Sequence, residues 1–594
     1  MPAQPNQPYT LEPFRPGADA ADARWLPPEW TMFPLAARRC IVRNPLNGSA
    51  MELSSGEYAA LCACEGWRTL DQHVDRAASR LGAPAEHRPA IRELLDRCAR
   101  SGLLITVARL VERFGTPAQG EPQRVAAVVI RTADRPRLLA RLLASATALE
   151  ARSASRRRWI VIDDSRDAAN QRANRAALEA CPALETEHLD RAVLAAVRDQ
   201  LRGEFPDLDR EIRWLLDSGS SVETTAGVPI NHALLRLAGH RFVSLDDDAV
   251  IAPKRPALVE PGFAVSDAVD ELFLYESEAA LWRDCPPLEV DPVAAHEQWL
   301  GLPLARAWRL AEQHGPLAAM ELSGAELERF APDASVLFTH NHACGDPGSS
   351  TLPMQLFALP ERSRRRLASQ PDAAAYGFAG RINWRGQSRL RLAPRRDLTF
   401  TTLAGVDNTR LLPPVPRSYR STDVLLGLVA QRMYPSSWIA DLPFGLPHLR
   451  EPAKRWLQSE EPYRQAHLHV VHAYISRHVP ARAGSAEQRL ATMGALLLDL
   501  AAAGESHLRE TLLQHAIETG ADALFRIEQQ LDDADLPSGW RAHLAQWLRS
   551  PALAPGAAAS RALEPSEARP LLEAYGKAML AWPRLWRFRR ERAT

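Results

Sequence analysis

Residues 242–250 read Phe-Val-Ser-Leu-Asp-Asp-Asp-Ala-Val, an apolar run that ends in three consecutive carboxylates, Asp246, Asp247 and Asp248. A strand that leaves a sheet on adjacent acids sets hard oxygen ligands at the sheet edge. That is the chemistry of a Mg²⁺ or Mn²⁺ site holding a phosphate group. The bland alternative is a solvated acidic turn after a buried strand, so the sequence on either side decides the reading.

Upstream the pattern is that of an α/β sheet. Val125–Ile130 is a fully apolar strand. Pro136–Leu149 places Leu138, Leu139, Leu142, Leu143 and Leu149 at helical spacing, and Trp159–Ile162 is the next strand, ending in Asp163-Asp164-Ser165. Strand, helix and strand in that order open a parallel sheet, and ligands of such sheets sit at the carboxyl ends of the strands. The loop Arg131–Pro136 turns into a helix N-terminus, which favours anions. After helical sequence to about Leu216, a short helix over Asn231–Ala238 precedes the strand that delivers the triplet. Residues 330–450 mix short apolar runs with Pro and Gly and read as loops and strands around a site. From about Glu451 the chain reads as helical.

Before the sheet lies a smaller unit. Arg39–Asn44 and Ala50–Leu53 flank a turn, Pro45-Leu-Asn-Gly48, that favours a hairpin. Ser54-x-x-Glu57 and Thr69-x-x-Gln72 are capping boxes that open two helices. A third helix over Glu86–Ser101 carries Ile91, Leu94, Leu95 and Cys98 on one face and ends at Gly102. Leu103–Ile105 closes the unit as a strand, which gives a winged-helix order. The expected organisation is a flexible arm at 1–35, the winged-helix domain at 36–108, a linker at 109–123, an α/β domain at 124–450 and a helical domain at 451–594.

Composition narrows the class. The 594 residues are 46% hydrophobic and 24% charged, as in soluble multidomain proteins. The formal net charge is zero, which argues against nucleic acid or an anionic membrane as the main partner. Only Lys254, Lys454 and Lys577 of the 72 basic residues are lysines; with the many alanines this is the bias of a GC-rich genome before it is phosphate recognition. Seven scattered cysteines without a CxxC pair, and no opening stretch like a signal peptide, lead to the expectation of a reducing cytoplasm. No run approaches the length of a membrane span.

Four segments carry a resemblance. Val128-Val-Ile-Arg-Thr-Ala-Asp-Arg-Pro136 resembles the VVIPTYNRP loop of family 2 glycosyltransferases. Ile160-Val-Ile-Asp-Asp-Ser-Arg-Asp167 resembles their IVVDDGSxD, Gly227–Leu234 their GxxxARNxAL, and Leu245–Asp248 their DxD. The resemblance covers about residues 124–255 and implies a GT-A fold, a nucleotide-sugar donor (most often a UDP-sugar) and Mn²⁺ or Mg²⁺. It assigns Thr132, Asp134, Asp163, Asp164, Asn231, Asp246 and Asp247 to the donor and Asp246 and Asp248 to the metal. Arg131 stands in place of the usual Pro, Ala133 of the aromatic and Asp134 of the Asn, and Pro229-Ile230 replaces the Ala-Arg before Asn231.

Further along, Leu411–Gly427 resembles the PPFxxxRxED…FG segment of related transferases, which implies Asp423 as the base that deprotonates the acceptor and brings Arg420 to the acceptor side. A helix-opening acid favoured by the dipole is the plain alternative. His448 resembles a downstream His that completes the metal shell; a loop His is the alternative. The polar stretch Thr339–Ser350 brings His340, His342 and Asp346 to the acceptor region, as metal ligands, pocket wall or a Gly-rich turn.

The N-terminal unit resembles a PqqD-like RiPP recognition element over about residues 36–106. That implies capture of the leader of a ribosomally made precursor peptide by strand addition beside the third helix, with Cys40, Ile41, Val42, Leu94 and Cys98 lining the site. The resulting expectation is an inverting peptide glycosyltransferase without a membrane span, with a homodimer as one use of the helical end. A surface-polysaccharide transferase and a GT-A scaffold that has lost catalysis are the alternatives.

Overall fold

The computed structural model describes residues 23–115, 124–153, 156–219, 225–346, 356–369, 382–394, 402–419, 421–451, 467–479, 484–550 and 553–592. These residues form two compact units: one drawn from 1–116 together with 319–332, the other from 117–318 and 333–594. Arg420 lies outside the described residues.

In the first unit, β1 (Arg24–Leu26), β2 (Thr31–Leu35), β3 (Arg39–Arg43) and β4 (Ala50–Ser54) precede three helices, Ser55–Cys62, Leu70–Leu81 and Arg88–Ser101. Both expected capping boxes are present, Ser54 with Glu57 and Thr69 with Gln72. Gly102 ends the third helix at φ 82°, a left-handed conformation glycine adopts without a Cβ clash. Asn44 and Asn47 donate to its carbonyl at 2.7 and 2.9 Å, tying the hairpin turn to the helix end.

Two features differ from the sequence expectation. From Arg24 onward the expected loose arm is in strands: β1 pairs with β5 (Arg68–Thr69) and β6 (Ile105–Thr106), and β2 pairs with β3. Strands of two or three residues carry no periodicity, so only their distant partners define them. The segment 109–123 begins inside a helix, Val107–Glu112, and Phe114 stacks on Phe330 at 5.7 Å.

β3 is the middle strand of the sheet β2-β3-β4. Both edges of Cys40, Ile41 and Val42 are therefore already paired. Cys40 and Val42 face the core with Leu94 and Cys98, while Ile41 is exposed on the outer face. None of the five offers an open backbone edge, which corrects the expectation that a peptide strand adds beside residues 40–42. Of the sheet's two outer strands, β2 contains Pro34, which lacks an N–H and belongs where no ladder bond is asked of it; β4 contains no proline.

The second unit is mixed α/β with a large central sheet and a helical C-terminal end. Its strands are β7 (Ala127–Thr132), β8 (Arg158–Asp163), β9 (Glu185–Leu189), β10 (Arg241–Asp246), β11 (Phe263–Ser266), β12 (Glu271–Tyr275), β13 (Leu317–Glu321), where the chain passes to the first unit, β14 (Ser335–Gly345), β15 (Ile382–Gly386), β16 (Leu390–Ala393), β17 (Leu403–Asp407) and β18 (Ser437–His448). From β11 the order runs β16-β18-β14-β17-β10-β7-β8-β9. β10, β7, β8 and β9 are parallel, and β17 pairs antiparallel with both β10 and β14.

Of the parallel strands, β7, β8 and β10 are apolar because both faces are covered. Val128, Val129, Ile130, Val161 and Ile162 are buried completely, each contributing roughly 1.5–3 kcal/mol by burial. The helix Pro136–Glu150 adds the leucines expected from its spacing. β9 (Glu-Thr-Glu-His-Leu) was not legible: only Leu189 is buried, so it carries no apolar pattern. At the far end, helices Ala486–Ala502 and Pro565–Glu591 touch through glycines; a Cβ on Gly576 would stand 2.8 Å from the Gly494 carbonyl oxygen. Among the described residues no helix is long and apolar enough to cross a membrane.

Candidate functional site

The carboxyl ends of β7, β8 and β10 lie side by side, in register Thr132↔Asp163 and Arg131↔Asp246. This places the Asp163-Asp164 pair and the Asp246–Asp248 triplet on one edge. Asp164 is buried and accepts hydrogen bonds from Ser218 Oγ at 2.5 Å and from Thr225 Oγ1, with the Arg191 guanidinium 3.6 Å away. Asp163 accepts from Ser165 N, Asn174 Nδ2 and His188 at 3.0, 3.0 and 3.1 Å. Burial opposes its ionisation, but these donors, His188 foremost, hold it below the usual carboxylate range. Asp164 is thus the member of the pair turned toward Ser218 and Thr225, and Asp163 braces the strand end.

Asp134 has φ 54° and works inside the loops: its carboxylate accepts from the backbone N–H groups of Arg166 and Asp167 at 3.1 and 3.0 Å and from Asn170. Asn231 is fully buried. Its Nδ2 donates to Leu215 O and Val415 O at 3.0 and 2.8 Å, and its Oδ1 accepts from Val415 N at 2.9 Å. Thr132 donates to Asp247 Oδ2 at 2.8 Å.

The triplet meets a strand that closes 200 residues later. β18 runs parallel to β14 over their length, and its last residue, His448, bridges Ala249. Val250 N donates to Pro447 O at 2.9 Å and Leu449 N to Asp248 O at 3.0 Å. Arg141, from the helix Pro136–Glu150, clamps the junction by donating to Asp248 O at 3.1 Å and Leu449 O at 2.6 Å. One ligand atom each from Asp246, Asp248 and His448 then lies within 4.8 Å of the others, with His448 Nε2 2.5 Å from Asp248 Oδ1.

Among the described residues three guanidinium groups face the carboxylates of the triplet: Arg131 on Asp246, Arg135 on Asp247 at 3.1 Å and Asp248 at 3.4 Å, and Arg450 on Asp248 at 3.1 Å. The three acids are consequently unequal. Burial and the neighbouring Asp248 charge push Asp247 up to about 6. Burial also raises Asp246 against the pull of Arg131. Burial opposes ionisation of Asp248 as well, yet His448, Arg450 and Arg135 hold it far below the usual range.

The donor set of two carboxylates and one imidazole, buried or half-buried, suits Mn²⁺, and with more bound water Mg²⁺. The His448 Nδ1 atom is enclosed without a hydrogen-bond partner, so the Asp248-facing Nε2 is the ring's one engaged nitrogen. The residues present fit a divalent ion.

Asp423 is the second residue of the helix Thr422–Met433, after Ser421 at φ 71°. Burial raises its pKa, opposed by the Val424 N–H and by Arg131, and the Asp246 charge adds to the rise. Arg131 therefore acts electrostatically on both Asp246 and Asp423. Of the polar stretch, His340 and His342 lie inside the buried strand β14 rather than in a turn. His340 sits 3.4 Å from Asp441. His342 Nε2 accepts from Gln387 N at 3.0 Å, and its ring packs edge-on against Trp384. Asp346 is tied to the end of β18, its N–H donating to His448 O at 2.8 Å. Arg135, Arg141, Arg191 and Arg450 belong to the site and were not singled out from sequence. In an arginine-rich chain no local pattern marks them.

No protein-family model matches the chain, and no curated protein matches it. Among solved structures, the mannosyltransferase PcManGT from Pyrobaculum calidifontis in complex with GDP-Man and Mn²⁺ aligns with 83% of this chain and 96% of its own, at 12% identity and a TM-score of 0.26. A likeness that slight carries no argument.

Proposed function

We propose that the chain is a metal-dependent glycosyltransferase that moves a sugar from a nucleoside-diphosphate donor, a UDP-sugar by the sequence resemblance, to a peptide side chain, with inversion. The observation that carries this reading is the meeting of Asp246, Asp248 and His448 at the carboxyl ends of parallel strands, beside Thr132 and the Asp163-Asp164 pair. Asp164 and Thr132 hold the nucleoside, and Asp246, Asp248 and His448 hold the divalent ion. When bound, that ion supplies positive charge to the departing diphosphate. Arg135 and Arg450, already beside the triplet, contribute further donors to phosphate oxygens.

Asp423 takes the proton of the acceptor hydroxyl. The acceptor oxygen forms its bond to the anomeric carbon as the bond from that carbon to the diphosphate oxygen breaks, and the electron pair leaves with the nucleoside diphosphate. A raised pKa suits a base that must hold this proton.

The first unit supports a peptide acceptor. Its sheet β2-β3-β4 has one proline-free outer strand, β4, which packs against the helix Arg88–Ser101. A leader segment that adds there raises the effective concentration of its own core sequence. The test is mass spectrometry of a leader-containing acceptor peptide incubated with Mn²⁺ and a panel of nucleotide sugars. A sugar-sized gain that depends on Asp248 and falls when the leader is removed supports the reading; no gain with any donor, or a gain that persists in Asp248→Asn, contradicts it.

A further inference from the structure

The stretch Leu411–Arg417 (Leu-Leu-Pro-Pro-Val-Pro-Arg) joins β17 to the helix that begins with Thr422 and Asp423. Pro413, Pro414 and Pro416 have no N–H, so the stretch builds neither a ladder nor a helical turn of its own. Its carbonyls are satisfied from outside. Trp582 Nε1 donates to Leu412 O at 2.7 Å and the Tyr575 hydroxyl to Pro414 O at 3.0 Å. Asn231 brackets Val415, and Gly227 N donates to Arg417 O at 3.1 Å. Just upstream, Trp586 Nε1 donates to Asn408 Oδ1 at 3.1 Å. A Cβ on Gly227 would stand 1.8 Å from Pro416 O, so the stretch is pressed directly onto the helix Gly227–Arg236.

Tyr575, Trp582 and Trp586 sit on one helix, Pro565–Glu591, at a spacing of seven and four residues that puts them on one face. All three are buried. Packing alone requires only their apolar bodies. Each polar tip instead meets a different acceptor along the connection, which fixes its direction as well as its place.

We propose that the C-terminal helix is a positioning element for the acceptor side: Tyr575 and Trp582 hold the proline stretch and through it set where Asp423 stands relative to Asp246 and Asp248. This rests on the reading of Asp423 as the base. Misplacing a base by about an ångström lowers turnover by about 10²-fold, while the hydrogen bonds of these two side chains go to the proline stretch and not to β7, β8 or β10.

The experiment uses full-length Tyr575→Phe, which is isosteric, together with Trp582→Phe and the pair. Donor binding is read by calorimetry with Mn²⁺ and UDP, transfer by kcat, and backbone protection by hydrogen–deuterium exchange over residues 412–424. The expected result is a donor Kd within about twofold of the parent, kcat lower by about tenfold in each single variant and more in the pair, and faster exchange confined to 412–424. Unchanged kcat with unchanged exchange overturns the proposal, as does equal loss of donor binding and transfer, which marks a general loss of structure. If the parent protein neither binds nor turns over any donor, the glycosyltransferase reading fails by itself, and the exchange result alone then decides whether these side chains hold the stretch.

Discussion

The donor half and the acceptor half of the second unit reach the same edge by different means. β7, β8 and β10 are mainly apolar runs that each end in polar residues, paired in parallel with one another. Their ligand-bearing ends are local properties of short segments. The third residue of the metal set, His448, arrives on β18, and on the acceptor side Asp423 arrives on a helix after a proline stretch; Arg141 donates to Leu449 O beside the first, and Tyr575 and Trp582 donate to the stretch that precedes the second. Where position is local it survives distant change; where it is borrowed it depends on the lender.

The largest test of that contrast is Asp248→Asn. It keeps the shape, removes one ligand and frees His448 and Arg450 from their shared partner. Transfer is expected to fall by about 10³-fold or more, with loss of Mn²⁺-dependent nucleotide binding by calorimetry. Asp423→Asn is expected to lower kcat by at least about 10²-fold while donor Kd stays near that of the parent. Loss of donor binding in this variant would dissolve the division into two halves.

Buried histidines probe the frame that both halves share. Burial pushes His296, behind β14, down to about 3, and His232, behind the donor strands, down to about 4. Both are neutral in the fold at pH 5, whereas in the unfolded chain they bind protons below about 6.5. The unfolded state therefore gains protons first as pH falls. Their stabilisation is complete above about 6.5 and declines toward the folded values, by about 2 kcal/mol each at pH 5. Urea unfolding at pH 7 and pH 5 reads the loss, and His296→Gln should remove about one residue's share of it. Smaller again is Arg141→Gln, expected to weaken Mn²⁺ binding by about tenfold through the Asp248–Leu449 clamp, without altering hydrogen–deuterium exchange over residues 160–167.

The same contrast explains what the amino-acid sequence made legible. The runs Val125–Ile130, Trp159–Ile162 and Phe242–Leu245 mark β7, β8 and β10 by their apolar content alone, the first beginning two residues early, and the capping boxes at Ser54 and Thr69 start helices where expected. Strands β1, β5 and β6, of two or three residues, and the polar β9 exist only through their partners. Nothing local to residue 448 says that β18 runs beside β14 and delivers its end to Asp248; the family resemblance alone grouped the two. The arginines around the triplet were hidden by the composition of the chain, and the middle place of β3 by the unrecognised strand β2.

The proposed chemistry depends on Asp246, Asp248 and His448 together holding a divalent ion for a nucleotide donor. Calorimetric titration of UDP and GDP into the protein, with and without Mn²⁺, in the parent and in His448→Ala, tests it most directly. Nucleotide binding is expected to require Mn²⁺ in the parent and to weaken by at least about tenfold in His448→Ala. Binding that is indifferent to Mn²⁺, or to the loss of His448, would contradict it.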